Sequence, residues 1–281
     1  MKIGILGPLG TFTEFAALKH NSNSEIVPFE TISKVFQAVN ENLVEEGVVP
    51  IENILYGHVL ETLDCLKLNE DINIIKSLIL PIKQSLVGMQ NISLDNSKIE
   101  KIISHPQALA QCSIYLDEKF PNAKRESMES TAAAIKFISE NKPTKALAIG
   151  TSLAAKRYGL NVIEEDISNN KNNKTMFVVI SKKESVRTGN DRTSMIINPN
   201  LDRPGLLRDI LSSFADNEIN LEMIQSRPAG EGKYIFYIDV VGHPEEPKLK
   251  KAFETIQSKL NSPFKKVIKI LGSYPYVSLA E

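Results

Sequence analysis

The sequence has no tryptophan, only two cysteines and four histidines in 281 residues, and an aromatic share of 6%. Cys65 and Cys112 are too few for a disulfide framework or a zinc site. Each falls in an apolar helical pattern, so both read as buried thiols of a reducing compartment. His20, His58, His105 and His243 are scattered, with no partner at metal-ligand spacing, and neither a metal nor another cofactor is expected. An excess of charge is also missing: 33 Lys and Arg against 34 Asp and Glu leave a formal net charge of −1. That balance argues against a nucleic-acid or anionic-membrane partner and requires any anionic ligand to be held locally. No apolar run reaches membrane-spanning length, and the short run at Met1 is interrupted by Gly7-Pro8, unlike a signal peptide. The expected location is cytoplasmic.

What is present is a globular composition, 42% hydrophobic and 24% charged, in a length that suits about two domains. Up to residue 182, short apolar runs alternate with helical patterns. Strands are expected at Lys2–Leu6, Gly47–Ile51, Ile72–Leu78, Gln84–Gly88, Ile99–Ser104, Ala146–Ile149 and Thr175–Ile180. Helices are expected at Thr13–His20, Ile32–Glu41, His58–Leu66, Pro106–Phe120, Thr131–Glu140 and Ser152–Tyr158. Such alternation predicts an α/β domain, whose ligands sit outside the carboxyl ends of the strands. Lys182–Arg192 is charged and aperiodic and reads as a linker between domains at 1–182 and 193–273. Beyond it the order strand, helix, strand, strand, helix, strand, ending with Lys265–Leu271, predicts a ferredoxin-like α+β domain.

Several strand ends carry polar helix starts. Thr11 with Glu14 and Ser104 with Gln107 have capping-box spacing, Pro106 suits a first helical position, and Ser130-Thr131 and Gly150-Thr151-Ser152 add two more. Free amides at helix starts favour a carboxylate by about 0.3 to 1 kcal/mol each. Gln107 and Gln111, four apart, share a helix face. Glu52 and Asn53 stand where a strand leaves the sheet; Glu52 reads equally as a solvated loop carboxylate. Thr175 and Phe177 share one face of their strand while Met176 lies on the other.

Taken together these segments resemble the prephenate dehydratase family. The matching motifs are Gly7-Pro8 with Gly10-Thr11-Phe12-Thr13, Pro50-Ile51-Glu52-Asn53 with Gly57 and Thr62-Leu63-Asp64, and Ser104-His105-Pro106-Gln107-Ala108-Leu109 with Gln111-Cys112. Ser130-Thr131-Ala132-Ala133 and Asn173, Thr175 and Phe177 complete the set. After the linker, Arg203-Pro204-Gly205-Leu206-Leu207, Asn220-Leu221 and Gln225-Ser226-Arg227-Pro228 resemble an ACT domain. The resemblance implies a two-lobed, periplasmic-binding-protein-like catalytic domain followed by an ACT regulatory domain. It also implies a reaction in which prephenate loses CO2 and water to give phenylpyruvate. By the same resemblance, Asn53, Ser104, Gln111 and Thr175 belong to the active site. Thr175 would donate a hydrogen bond to the leaving hydroxyl, and Glu52, if burial raised its pKa, would be the better candidate for a true proton donor. Thr11, Phe12, Thr13, Gln107, Ser130, Thr131 and Phe177 would line the substrate site. Gly205, Leu206, Leu207, Asn220, Leu221, Ser226 and Arg227 would hold L-phenylalanine between two copies of the chain, giving a homodimer or homotetramer.

Two positions depart from the family. Met176 stands where its members have arginine, and Gln225 where they more often have glutamate. If residue 176 points away from Thr175's face, Met176→Arg is expected to change turnover little. A catalytic fragment ending at Lys183 is expected to keep activity and lose phenylalanine sensitivity. Arogenate dehydratase and a catalytically silent aromatic-acid sensor remain as alternatives.

Overall fold

The computed structural model describes residues 1–90, 98–143, 145–199, 201–230, 232–260 and 267–277. Their chain order opens with β1 (Lys2–Leu6), α1 (Phe12–His20), β2 (Glu25–Phe29), α2 (Ile32–Asn40), β3 (Glu46–Asn53), β4 (Gly57–His58), α3 (Leu60–Leu68) and β5 (Asn73–Pro81). A second run holds β6 (Ser85–Gly88), β7 (Lys101–Ser104), α4 (Pro106–Gln111), α5 (Ser113–Lys119), β8 (Lys124–Ser127), α6 (Thr131–Asn141), β9 (Ala146–Gly150), α7 (Ser152–Arg157) and β10 (Asn161–Glu164). β11 (Lys174–Ser181) then returns to the first sheet, whose order is β2-β1-β3-β11-β5 with β4 on the end of β3. The second sheet is ordered β10-β6-β9-β7-β8. The chain therefore makes two lobes and crosses between them twice, after β5 and before β11. Both sheets are mixed, since β11 runs antiparallel to β3 and β5 and β6 antiparallel to β9.

Local sequence explains the elements. β11 is buried from Thr175 to Ser181 because it lies between two strands with apolar layers on both faces. One layer, Ile3, Ile5, Ala16, Val48, Phe177 and Val179, covers α1; the other joins α2 and α3 to Met176, Val178 and Ile180. Four strands escape the apolar pattern: the two-residue β4, and β2, β8 and β10, which are edge strands with half-exposed or exposed residues. The single helix expected over Pro106–Phe120 is broken at Cys112. Asn169 enters the break, donating to the Ala110 carbonyl at 3.2 Å and accepting from the Ile114 N–H at 3.1 Å. A side chain inserted into the ladder is a known cause of such interruptions.

The third sheet is antiparallel, β13-β14-β12-β15, from β12 (Asp191–Ile197), α8 (Leu206–Ala215), β13 (Leu221–Gly230), β14 (Lys233–Val241), α9 (Pro247–Lys259) and β15 (Ile268–Pro275). This is the expected ferredoxin-like, ACT-type order; the first residues of the strand expected at Lys265–Leu271 lie outside the described residues. One face of the sheet packs on α8 and α9 through Met195, Ile197, Ile238, Ile210 and Ile256. The other face is covered in large part by the first lobe. Ile196, Ile235, Tyr237, Leu271 and Tyr274 join Leu63, Leu66, Ile74 and Met176 of the first lobe in one apolar cluster. β15 approaches β5 so closely that a Cβ on Gly272 would lie 2.2 Å from the Ile74 carbonyl oxygen. The linker is also shorter than its charge suggests: Asp191 and Arg192 are already strand residues, 1% and 3% exposed. Pairing makes that burial possible, Asp191 accepting from Thr188 and Gly189 and Arg192 donating to Glu222.

Candidate active site

A cleft of about 410 Å³ opens between the two lobes. Of the residues expected to meet substrate, Thr11, Phe12, Thr13, Asn53, Gln107, Gln111, Ser130, Thr131, Thr175 and Phe177 line it. Three helix starts converge there. Thr11 caps α1 by accepting from the Glu14 N–H, His105 caps α4 through its side chain, and Ser130 caps α6 by accepting from the Ala133 N–H at 3.0 Å. The fourth expected start, at α7, turns elsewhere: Thr151 donates to the Gly10 carbonyl at 2.6 Å and so ties the lobes together behind the cleft. Arg157 on buried Glu14 reinforces that tie. No lysine or arginine lines the cleft among the described residues.

Thr175 and Asn53 face each other across the β3–β11 ladder. The Asn53 Oδ1 accepts from the Leu55 and Tyr56 N–H groups at 3.0 and 3.2 Å, which fixes the amide's orientation. Its Nδ2 then donates to Thr175 Oγ1 at 2.8 Å and to Asn173 Oδ1 at 2.9 Å. Because Oγ1 accepts that bond, the threonine proton is free to point elsewhere, and among the described residues it has no protein acceptor. Asn53 is thus committed to orienting Thr175. Gln111 sits in a short chain: Gln84 Nε2 donates to Gln111 Oε1 at 3.2 Å, and Gln111 Nε2 donates to Tyr56 Oη at 3.3 Å across the cleft mouth.

Two expected site residues lie outside the cleft. Glu52 is on the opposite face of β3 from Asn53, 4.0 Å from His58 Nδ1 and close enough to influence buried Asp239 of the third sheet. Strand alternation places it there, and its assignment as proton donor is corrected accordingly. Ser104 is fully buried and donates to the Ile149 carbonyl at 2.7 Å, bracing β7 against β9; the α4 cap falls to His105 instead. Conversely, Gln84, His105, Glu129 and Asn173 line the cleft without having been assigned a role from sequence. Asn173 belongs to the motif that precedes Thr175, and Gln84 opens the strand expected at Gln84–Gly88, but nothing local to either points to the cleft. Burial pushes the Cys112 thiol up to about 12, which keeps it an inert core residue.

Within one chain the expected effector residues are divided between two ends of the third sheet. Gly205, Leu206 and Leu207 open α8 beyond the end of β12. Leu221 is level with Val240, itself paired to Thr193, at the beginning of β12; Ser226 is level with Phe236, paired to Ile197 at its end. Arg227 reaches across to the first lobe and bonds both carboxylate oxygens of Asp64, at 3.2 and 3.0 Å.

Two lobes closing on a cleft of neutral donors and helix starts, with an α+β unit docked behind the strands that carry them, define an enzyme of small anionic substrates with an attached regulatory fold. A family model described as prephenate dehydratase matches residues 3–185, and one described as ACT domain matches residues 200–257. The chain belongs to the prephenate dehydratase family, and its activity is that of a prephenate dehydratase. It is 38% identical over 276 residues to the prephenate dehydratase of Methanocaldococcus jannaschii, covering 95% of this chain and 96% of that one. It is 38% identical over 278 residues to the bifunctional chorismate mutase/prephenate dehydratase of Pseudomonas aeruginosa, covering 98% of this chain and 73% of the relative. The crystal structure of an Arthrobacter aurescens prephenate dehydratase in complex with L-Phe is 34% identical, with a TM-score of 0.86 over 98% of this chain and 90% of that one. Among the described residues no helix is long and apolar enough to cross a membrane.

Proposed function

We propose that Thr175 is the group that assists departure of the ring hydroxyl. In the reaction the bond from the ring to its carboxylate breaks, its electron pair aromatises the ring, and the opposite C–O bond breaks with its pair on oxygen. Aromatisation drives these steps, and the poor leaving group opposes them. A hydroxyl aimed at the departing oxygen stabilises the charge as it develops, by up to about 3 kcal/mol. The hydroxide then takes a proton from solvent. The Asn53 bond to Thr175 Oγ1 carries this reading, since it leaves the threonine proton free to be donated. The two carboxylates of the substrate fit the starts of α1, α4 and α6, with Gln107 and Gln111 beside them and Phe12 and Phe177 as walls. Thr175→Ala, assayed for phenylpyruvate from prephenate and phenylalanine from arogenate, should lose at least about tenfold in kcat on the preferred substrate. An unchanged kcat would refute the role.

We also infer that L-phenylalanine is the effector and binds between two copies of the chain in a cytoplasmic homodimer or homotetramer. The placement of Gly205 and Asn220 toward opposite ends of one sheet supports this, because a second copy can bring the two groups together. The end of β11 at Ser181 supports the first of the domain limits 1–182 and 193–273, while the third sheet begins two residues earlier than the second limit, at Asp191, and ends two later, at Pro275. Sedimentation with and without phenylalanine tests it: a monomer that binds the effector tightly would overturn the shared site.

A further inference from the structure

We infer that Arg192, at the start of the ACT sheet, is a positioning residue for the dehydration that steadies Thr175 through Met176 and links that support to the effector end of the sheet. The inference rests on the role proposed for Thr175.

The support bears on the β3 side of Thr175, where the ladder is irregular, whereas on its other side Thr175 pairs in regular register with Leu80 of β5. Thr175 pairs with Asn53 and Met176 with Glu52, but Phe177 pairs with Pro50, so Ile51 is an extra residue in β3. Pro50 has no N–H to offer the ladder. Bulges of this kind re-aim side chains and loosen the pairing around them. The Thr175–Asn53 pair thus stands at the far side of a break from the regular part of the β3–β11 ladder, and what packs behind Met176 bears on how firmly Thr175 is held.

What packs there is a buried charge. Arg192 Nη1 lies 3.5 Å from Met176 Sδ, Nη2 donates to Glu222 Oε2 at 3.2 Å, and the guanidinium stacks 5.5 Å from the Tyr276 ring. The Asp239 carboxylate is 3.9 Å from Nε, which makes no hydrogen bond. The surrounding contact surface is apolar, with Ile196, Tyr237, Leu271 and Tyr274 against the first lobe. An apolar side chain at position 192 would leave the buried Asp239 carboxylate facing that surface without its counterion. The guanidinium instead joins two places. Asn220, expected at the effector site, donates from Nδ2 to Glu222 Oε1 at 3.1 Å, and the other oxygen of Glu222 holds Arg192. Asn220, Glu222, Arg192 and Met176 form an unbroken series that ends one residue from Thr175. Met176→Arg is therefore not silent: it sets two guanidinium groups against each other.

Contiguity alone is not coupling, so energetic evidence is required. The experiment compares Arg192→Met, Arg192→Lys, Met176→Arg, the exchange Arg192→Met/Met176→Arg, and Tyr237→Phe in the full chain, measuring kcat, KM, phenylalanine inhibition and thermal midpoint. Tyr237→Phe is the structural control, since it removes the 3.1 Å interface bond to the Leu63 carbonyl without touching Met176. Arg192→Met should lower kcat about tenfold, leave KM within about twofold and blunt inhibition, as befits a group that orients the reacting residue. Arg192→Lys, which keeps the charge but cannot span Met176 and Glu222 together, should lower kcat about threefold, and it serves if Arg192→Met does not fold. Met176→Arg should lower kcat about threefold, and the exchange should restore most of it, because one guanidinium again lies among the same carboxylates. An unchanged kcat in folded Arg192→Met or Arg192→Lys overturns the inference, as does a kcat loss that the exchange fails to reverse or that Tyr237→Phe reproduces. Thr175→Ala run beside them separates the two proposals: if it too keeps full kcat, the role of Thr175 fails, whereas its loss with Arg192 variants at full kcat removes Arg192 alone.

Discussion

Strands β3 and β11 present two unlike surfaces one residue apart. On the cleft face stand Asn53 and Thr175, neutral and joined by a 2.8 Å hydrogen bond. On the opposite face stand Glu52 and Met176, set against His58, Arg192 and Asp239. Burial pushes the Asp239 carboxyl up, while the Arg192 charge beside it pulls the other way. Cationic charge is thus concentrated where two units must join and is absent from the described cleft lining, whose one carboxylate is Glu129. The separation has a chemical reason. A cation bound to the substrate's carboxylates would stabilise the starting dianion as well as the transition state, and uniform binding of that kind does not raise kcat. A neutral donor aimed at the leaving oxygen acts chiefly as charge develops.

The contrast between the faces can be broken at four points, taken here in descending size of effect. Cutting the chain after Lys183 removes the sheet that covers Leu63, Leu66, Ile74 and Met176. The sequence alone suggests an active, effector-blind fragment; the shared cluster instead predicts one that melts far below the full chain and loses most of its turnover, because exposed core surface costs about 25 cal/mol per Å². A fragment with the full chain's midpoint and kcat would show that the back face is dispensable. Next, Asn53→Asp reverses the bond to Thr175, which would donate to the new carboxylate instead of to substrate; kcat should fall about tenfold or more, and melting should fall as well because the carboxylate faces the Asn173 and Lys174 oxygens that the amide served. Retained kcat would mean that the direction of that bond does not matter. Gly272→Ala acts on the back face only, pressing a methyl group against the Ile74 carbonyl, and should cost about 1 to 3 kcal/mol in a denaturant titration while kcat changes less than in Asn53→Asp. The smallest effect is expected from Glu52→Gln, under about threefold in kcat, since Glu52 faces away from the cleft. A hundredfold loss there would return Glu52 to the chemistry.

Much of the fold was legible because central strands bury both faces and leave continuous apolar runs, as in β11 and β9. Besides the two-residue β4, the strands that escaped are edges: β8 reads Lys-Arg-Glu-Ser, and β2 contains Pro28, so neither has the pattern of a buried strand. The helix break at Cys112 escaped because its cause, Asn169, enters from more than fifty residues away, with |i−j| of 55 to Ile114. In the site, capping chemistry at Thr11 and Ser130 is local and could be read from a four-residue window. Ser104 has the same spacing, yet its hydroxyl is taken by Ile149, 45 residues on. Glu52 illustrates the other kind of error. Its place at a strand end was right, but adjacent strand residues face opposite ways, and the cleft lies on Asn53's side.

The sequence by itself determined the order of elements, the ACT-type second unit, the family, and the strand ends and helix starts on which Thr175, Asn53 and Ser130 stand. Those properties follow from periodicity, capping and motif, which act over a few residues or along one chain order. Only the tertiary structure decided that Asn53 holds Thr175, that Glu52 and Ser104 serve elsewhere, and that Arg192 meets Met176 behind the cleft. Each of these rests on a pairing between separate segments, 122 residues apart for Asn53 and Thr175. Register, side-chain direction and the docking of one sheet on another settle such pairings, and none of the three is written in a local pattern.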